Sequence, residues 1–158
     1  MLFLPTMPAD RPSAAEGDLW REGARNILIV EDFDEIRESL AFVLRKKGYR
    51  VCPACDGSEG WRLFQVRSFD LVLTDILMPG LNGDVLAERI HRISPQTPVI
   101  VMTAGEIDTG RTLLESGRAA GVLYKPFEIQ ELTGFLERLW PAPCESAALF
   151  ECSDIEQV

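Results

Sequence analysis

The sequence predicts an α/β fold in which helices cover both faces of a five-stranded parallel sheet. Five apolar runs of strand length recur along the chain, and each is followed by a segment with apolar residues at helical spacing. Strands that alternate with helices are typical of a parallel sheet whose strands are joined by helical crossovers. The length of the alternating region fits the flavodoxin-like (βα)5 doubly wound arrangement, with strand order 2-1-3-4-5.

The strands are the clearest elements, because their apolar runs end at residues that cannot continue a strand. After Leu71 to Asp75 the chain reaches Met78, Pro79 and Gly80, and proline and glycine are typical of loops. The predicted strands cover residues 26–30, 49–54, 71–75, 98–103 and 121–124.

Apolar spacing predicts a helix after each strand. Asp34 and Gly48 are expected as the N-terminal and C-terminal caps of the first helix. The fourth helix is predicted to be the weakest, since it has glycines nearby and few apolar residues. The apolar residues expected to point inward from the third helix are Val85, Leu86, Ile90 and Ile93. The predicted helices cover residues 34–47, 57–66, 82–93, 109–116 and 128–140.

Length and composition predict one domain with additional ends. We expect a flexible extension over residues 1–24, a folded domain over 25–140 and an acidic tail over 141–158. The net charge of -9 disfavours direct binding to nucleic acid or to anionic membranes. The chain has no apolar run of about 18 residues or more and no convincing signal peptide, which predicts a cytoplasmic location. The spacing of Cys52 and Cys55 suits a redox or zinc site, but packing is the preferred explanation for one isolated pair.

Polar residues lie at or just after the carboxyl ends of four predicted strands: Glu31, Asp32, Asp75, Thr103 and Lys125. Each alone has an ordinary explanation, such as a cap, a strand terminus or a surface ion pair. The carboxyl ends of parallel strands meet at one edge of a sheet, where such folds bind ligands. Carboxylates there would hold Mg2+, a hydroxyl and a lysine would hold phosphoryl oxygens, and Asp75 would be the nucleophile.

These motifs resemble the receiver domain of two-component response regulators from about Arg25 to Trp140. The motifs that carry the resemblance are Ile-Leu-Ile-Val-Glu31-Asp32, Leu-Thr-Asp75-Ile-Leu-Met78-Pro79-Gly-Leu-Asn-Gly83, Val-Met-Thr103-Ala104 and Lys125-Pro126-Phe127.

The resemblance implies that Asp75 is the phosphoacceptor. It also implies that Asp32 is the principal Mg2+ ligand, with Mn2+ as an alternative metal. Glu31 would support the metal, mostly through water, and the backbone carbonyl of Leu77 would complete the protein's ligands. Glutamate at position 31 is a departure, because aspartate is commoner there in the family.

The resemblance further implies that Thr103 is the switch hydroxyl and that Lys125 pairs with the phosphoryl group. A cis peptide bond is expected between Lys125 and Pro126. The family's aromatic switch position holds Val122, so coupling between Thr103 and an aromatic side chain is expected to take another form. Leu77 and Gly105 offer no polar side chain to orient attacking water, so neither is expected to help dephosphorylation.

By resemblance, the partners are a histidine kinase or phosphotransfer protein and a downstream protein target. Signalling would follow from a phosphorylation-dependent change of the binding surface. A homodimer through the helix 4, strand 5 and helix 5 face is left open. The chain would not be an enzyme in the usual sense, although it would promote its own phosphoryl transfer and dephosphorylation. No output domain is recognised after Trp140, which suggests a stand-alone receiver or the receiver end of a longer protein.

Three other protein classes fit the sequence less well. A pseudo-receiver would bind proteins without phosphorylation, and the intact Asp75, Thr103 and Lys125 argue against it. A phosphatase of the haloacid-dehalogenase type needs an acidic residue at position 77, which is leucine. A flavodoxin-like FMN carrier would need a hydroxyl-rich phosphate loop after the first strand, where Glu31 and Asp32 would repel the phosphate.

Overall fold

Five parallel strands form a single sheet in the computed structural model, which describes residues 23–141. The strands are β1 (Asn26–Val30), β2 (Arg50–Ala54), β3 (Leu71–Asp75), β4 (Val99–Thr103) and β5 (Gly121–Tyr124). Their order is β2-β1-β3-β4-β5, so the predicted fold class and strand order are confirmed.

The helices are α1 (Asp34–Lys46), α2 (Gly57–Val66), α3 (Gly83–Ile93), α4 (Ile107–Glu115) and α5 (Ile129–Leu139). Side chains of α1 and α5 share one apolar core with the sheet, and those of α2, α3 and α4 share the other. Successive residues of β1 alternate between the two cores because side chains of a strand alternate in direction. Burial on both faces explains why β1, β3 and β4 read as continuous apolar runs.

The two ends of α1 differ in how well they match expectation. Gly48 follows the helix with a φ of +94°, a conformation that favours glycine, so its predicted capping role is confirmed. The prediction for Asp34 was wrong, because the N-cap residue is Phe33 and Asp34 is the first helical residue. The Asp34 carboxylate instead pairs with Arg37 one turn further along the helix.

The buried face of α3 is narrower than predicted. Leu86 and Ile90 are buried, as expected, and so is Ala87. Val85 and Ile93 are 38% and 57% exposed, so their predicted inward orientation was wrong. Val85 lies about 100° around the helix from Leu86, and Ile93 is the last helical residue, past the region that the sheet covers.

Helix α4 begins at Ile107, two residues earlier than predicted, because the carbonyl of Glu106 already accepts the backbone N–H of Gly110 and closes the first turn. Its buried residues are Gly110 and Leu113. A Cβ atom at Gly110 would lie 3.1 Å from Cγ1 of Val122, so the helix packs closely on β5 at this point.

The predicted extension and tail lie almost entirely outside the described residues. Within residues 23–141, no helix combines the length and the apolar character that a bilayer crossing requires. Cys52 is partly buried and packs against one core, whereas Cys55 is exposed, so only Cys52 fits the packing explanation.

Candidate functional site

The register of the strands brings the predicted site residues to one edge of the sheet. Val30 of β1 pairs with Thr74 of β3, which places the next residues, Glu31 and Asp75, side by side. On the other side of β3, Asp75 pairs with Met102 of β4, so the strand extends one residue further to Thr103. We call this the carboxyl edge, and it is where parallel sheets bind ligands.

Three carboxylates meet at the carboxyl edge. One oxygen from each of Glu31, Asp32 and Asp75 lies within 4.8 Å of the others, and we call these residues the acidic cluster. Glu31 and Asp75 are buried and Asp32 is half-buried. Like charges this close repel one another unless a cation lies among them.

Lys125 follows β5 and provides a cation. Its Nζ atom lies 2.8 Å from Oε2 of Glu31 and 3.0 Å from Oδ2 of Asp75. Within residues 23–141, no other ion pair reaches the acidic cluster, so three carboxylates face one ammonium group. The peptide bond between Lys125 and Pro126 is cis, as the resemblance implied.

One oxygen of Asp32 lacks a partner in the acidic cluster. Its Oδ1 atom is buried and has no hydrogen-bond partner in the described part of the chain. Buried polar atoms are almost always paired, because an unpaired one carries the full cost of lost hydration. Oxygen donors with a net negative charge suit a hard divalent cation such as Mg2+. The residues present therefore fit the metal that the resemblance implies.

Burial and charge act in opposite directions on the ionisable groups. Burial raises the pKa of Glu31 and outweighs the hydrogen bond and charge of Lys125, which act to lower it. Burial alone would lower the pKa of Lys125, but its hydrogen bonds to Glu31 and Asp75 and their charges raise it overall. Lys125 is therefore protonated at neutral pH, and a charged Glu31 is costly to keep in the folded protein.

Contacts from α1, α3 and the loop after β1 hold the backbone around the acidic cluster. Nη1 of Arg37 donates a hydrogen bond of 2.8 Å to the carbonyl oxygen of Glu31, and the backbone N–H of Phe33 donates to its Oε1 at 3.2 Å. A Cβ atom at Gly83 would lie 1.8 Å from the carbonyl oxygen of Asp75, so only glycine fits there. Sequence reasoning missed Arg37, because its partner is a backbone carbonyl and leaves no side-chain signal.

Thr103 lies at the carboxyl edge, but its hydroxyl has other partners. The buried hydroxyl donates to Oε2 of Glu106 at 2.8 Å and accepts from the backbone N–H groups of Glu106 and Gly105, at 2.9 and 3.3 Å. Among the described side chains, it contacts Glu106 and not the acidic cluster. Sequence reasoning missed Glu106, although a threonine followed three residues later by glutamate is the spacing of a capping box.

The remaining predicted positions flank the site. The side chain of Leu77 is exposed just after β3, and a metal-binding role for its carbonyl stays a prediction. Val122 is half-buried in β5 and packs against the core between the sheet and α4.

Comparison with known proteins identifies the class of this fold and site. Residues 27–137 match the response regulator receiver domain, so the chain belongs to the receiver-domain family of two-component systems. It is 32% identical over 115 residues to the response regulator receiver protein CpdR of Brucella abortus, covering 73% of this chain and 96% of that protein. It resembles the structure of the response regulator TrrA of Thermotoga maritima in complex with Mg(2+)-BeF, with 33% identity and a TM-score of 0.66, over 73% of this chain and 98% of that one.

Some relatives are much longer than the matched region. The uncharacterized transcriptional regulatory protein YcbL of Bacillus subtilis is 41% identical over 107 residues, which are 67% of this chain and 46% of that protein. The transcriptional activator protein PfeR of Pseudomonas aeruginosa is 40% identical over 106 residues, 67% of this chain and 34% of that protein. The chain therefore spans less than half the length of these two relatives.

Proposed function

We propose that this chain is a phosphoacceptor receiver that takes a phosphoryl group from a histidine kinase or phosphotransfer protein onto Asp75. The observation that carries the proposal is the acidic cluster with Lys125 bonded to it at the carboxyl edge. In the transfer, a bond forms between phosphorus and a carboxylate oxygen of Asp75, and the bond between phosphorus and the histidine nitrogen of the donor breaks. An aspartyl phosphate is an established covalent intermediate.

The residues around Asp75 would position and neutralise the group. Lys125 already bonds to Asp75 Oδ2, so its ammonium group is within reach of a phosphoryl oxygen on that carboxylate. Asp32, Asp75 and the Leu77 carbonyl would hold Mg2+ or Mn2+, with Glu31 in support. The bound metal supplies positive charge against the carboxylates and the phosphoryl oxygens, and such neutralisation supplies most of the catalysis in phosphoryl transfer.

The output would be a changed binding surface for a downstream protein. Thr103 is the proposed switch hydroxyl, and α4 follows it directly. Three exposed apolar residues lie on α4 and β5: Ile107, Leu114 and Tyr124. Their exposure supports the proposal that this surface binds a partner protein or a second copy of the chain. We propose residues 25–140 as the signalling unit, acting in the cytoplasm without direct contact with nucleic acid or membrane.

A pseudo-receiver is the second candidate. Two observations favour it: Val122 stands at the usual aromatic position, and the Thr103 hydroxyl is bonded to Glu106. A pseudo-receiver would bind its partner equally well with or without a phosphoryl donor.

Intact mass spectrometry with Mg2+ and acetyl phosphate separates the two candidates. We expect one phosphoryl adduct on the wild type, none on Asp75→Asn and none when EDTA removes the metal. Asp108→Asn is the matched control, because it removes one exposed aspartate charge from α4 and should leave the adduct unchanged. A folded wild-type protein that takes no phosphoryl group from any small donor would contradict the phosphoacceptor role and favour the pseudo-receiver.

A further inference from the structure

The Glu106 side chain ties Thr103 to the beginning of α4. Thr103 is fully buried, and its hydroxyl donates its single proton to Oε2 of Glu106 at 2.8 Å. The hydroxyl oxygen of Thr103 also accepts hydrogen bonds from the backbone N–H groups of Gly105 and Glu106, so the hydroxyl is fully engaged. Glu106 immediately precedes α4 and is its N-cap residue, although its side chain makes no capping hydrogen bond to the helix.

We propose that Glu106 is a positioning residue that holds Thr103 in the resting state and must release it before Thr103 can bind the phosphoryl group. This inference rests on the proposed function of Asp75. A hydroxyl has one proton and can donate it to one acceptor at a time. The carboxylate of Glu106 and a phosphoryl oxygen on Asp75 therefore compete for the same proton of Thr103.

The packing of α4 against Thr103 would transmit a change at Thr103 to the exposed face of this helix. Around a Cβ atom placed at Gly110, the nearest atoms are Cγ1 of Val122 at 3.1 Å, its Cγ2 at 3.6 Å and Cγ2 of Thr103 at 3.9 Å. The helix thus lies against Thr103 itself. Since position 122 carries no aromatic ring, release of Glu106 is the local change that links a reoriented Thr103 to the first turn of α4.

Two variants at one position separate the hydrogen bond from the charge. Glu106→Ala removes the competing acceptor, so Thr103 is free to turn. Glu106→Gln removes the negative charge but keeps a side-chain carbonyl oxygen that can accept the hydroxyl proton. Asp108→Ala is the control, because it removes an exposed charge from the first turn of α4 without touching Thr103.

The first measurement is the affinity of each metal-loaded protein for beryllofluoride, a phosphoryl mimic, by fluorine NMR titration. We expect Glu106→Ala to bind about tenfold more tightly than the wild type, the effect of one hydrogen bond to a charged group. Glu106→Gln should bind about threefold more tightly than the wild type, between the wild type and Glu106→Ala, because its neutral carbonyl accepts a weaker hydrogen bond than the carboxylate does. Asp108→Ala should stay within about twofold of the wild type.

The second measurement is amide hydrogen exchange in the metal-free proteins, which needs no phosphoryl mimic. Amides at positions 105 and 106 should exchange faster in Glu106→Ala and at the wild-type rate in Glu106→Gln, because Thr103 holds both N–H groups only while its hydroxyl stays in place.

The outcomes separate this inference from the proposed function. Equal affinities for the wild type and Glu106→Ala would overturn the inference alone. Equal tightening in Glu106→Ala and Glu106→Gln would also overturn it, because charge rather than the hydrogen bond would then control binding. A wild type that binds no beryllofluoride would overturn the proposed function and the inference together.

Discussion

Asp32→Asn should stabilise the metal-free protein while it removes the response to Mg2+. Asp32 belongs to the acidic cluster, and its Oδ1 atom has no hydrogen-bond partner in the described structure. Asparagine has nearly the same shape, so the substitution changes the charge with little change in packing. The half-buried carboxylate charge of Asp32 should be a cost to folding that a bound cation offsets.

The structure gives the size of this effect. Charges within 4.8 Å repel by about 3.5 kcal/mol at an effective dielectric constant of about 20. Asp32 makes two such pairs, with Glu31 and Asp75, and Lys125 bonds to those two residues but not to Asp32. Partial exposure of Asp32 and salt reduce the repulsion, so we expect the free energy of unfolding to rise by about 1–3 kcal/mol.

The assay is urea unfolding followed by tryptophan fluorescence, in EDTA and in Mg2+ at constant ionic strength. At about 100 times its dissociation constant, Mg2+ should stabilise the wild type by about 2.7 kcal/mol. Asp32→Asn should lose most of this stabilisation.

Asp108→Asn is the control for a general effect of charge, since it lowers the net negative charge by the same amount on exposed α4. It should keep the full Mg2+ response. The reasoning is refuted if Asp32→Asn is less stable than the wild type in EDTA, or if Mg2+ stabilises it as much as the wild type.

Three further predictions concern stability. Gly83→Ala should lower the free energy of unfolding by about 3 kcal/mol or more, because its Cβ would lie 1.8 Å from a backbone oxygen. Its control, Gly105→Ala, adds a Cβ in open space and should change the free energy of unfolding by less than about 1 kcal/mol in the same urea assay. The pKa of Lys125 is raised in the folded protein above its unfolded value of 10.5, so its stabilising contribution should be complete below pH 10.5. This contribution should disappear as the pH rises through the higher folded pKa. Lys125→Met should therefore show a smaller loss of stability between pH 9 and about 11.5 in urea unfolding. Asp56→Ala should cost about 1 kcal/mol in thermal unfolding, because the Asp56 side chain accepts the N–H of Glu59 at the start of α2, and Asp56→Asn should restore most of the loss.

The sheet and the convergence of its polar ends could be predicted because they depend on simple regularities. Strands buried on both faces read as continuous apolar runs, so the bounds of β1 and β3 matched the prediction. The contact between Lys125 and Glu31 joins residues 94 positions apart, yet it follows from the rule that parallel strands end at one edge.

Helix faces and local hydrogen bonds were predicted less well. Apolar spacing on α3 could not show that the sheet covers Leu86 and Ile90 but not Ile93, because coverage depends on the neighbouring elements. Glu106 was missed since α4 was expected to begin at Thr109, which left the spacing of Thr103 and Glu106 in an unassigned loop. A carboxylate that accepts from a hydroxyl three residues earlier becomes visible only when the turn is known.

On the proposed function, Thr103 would have two anionic acceptors of different origin at the carboxyl edge. Glu106 is always present and holds the hydroxyl at 2.8 Å in the resting structure. A phosphoryl group on Asp75 would be the second, and it would also compete for Lys125, which now bonds to Glu31 and Asp75. A bound cation weakens the repulsion that the acidic cluster would exert on the incoming group. Phosphorylation can then redirect Thr103 only by binding its proton more strongly than Glu106 does, so the strength of this one hydrogen bond should set how readily the receiver switches.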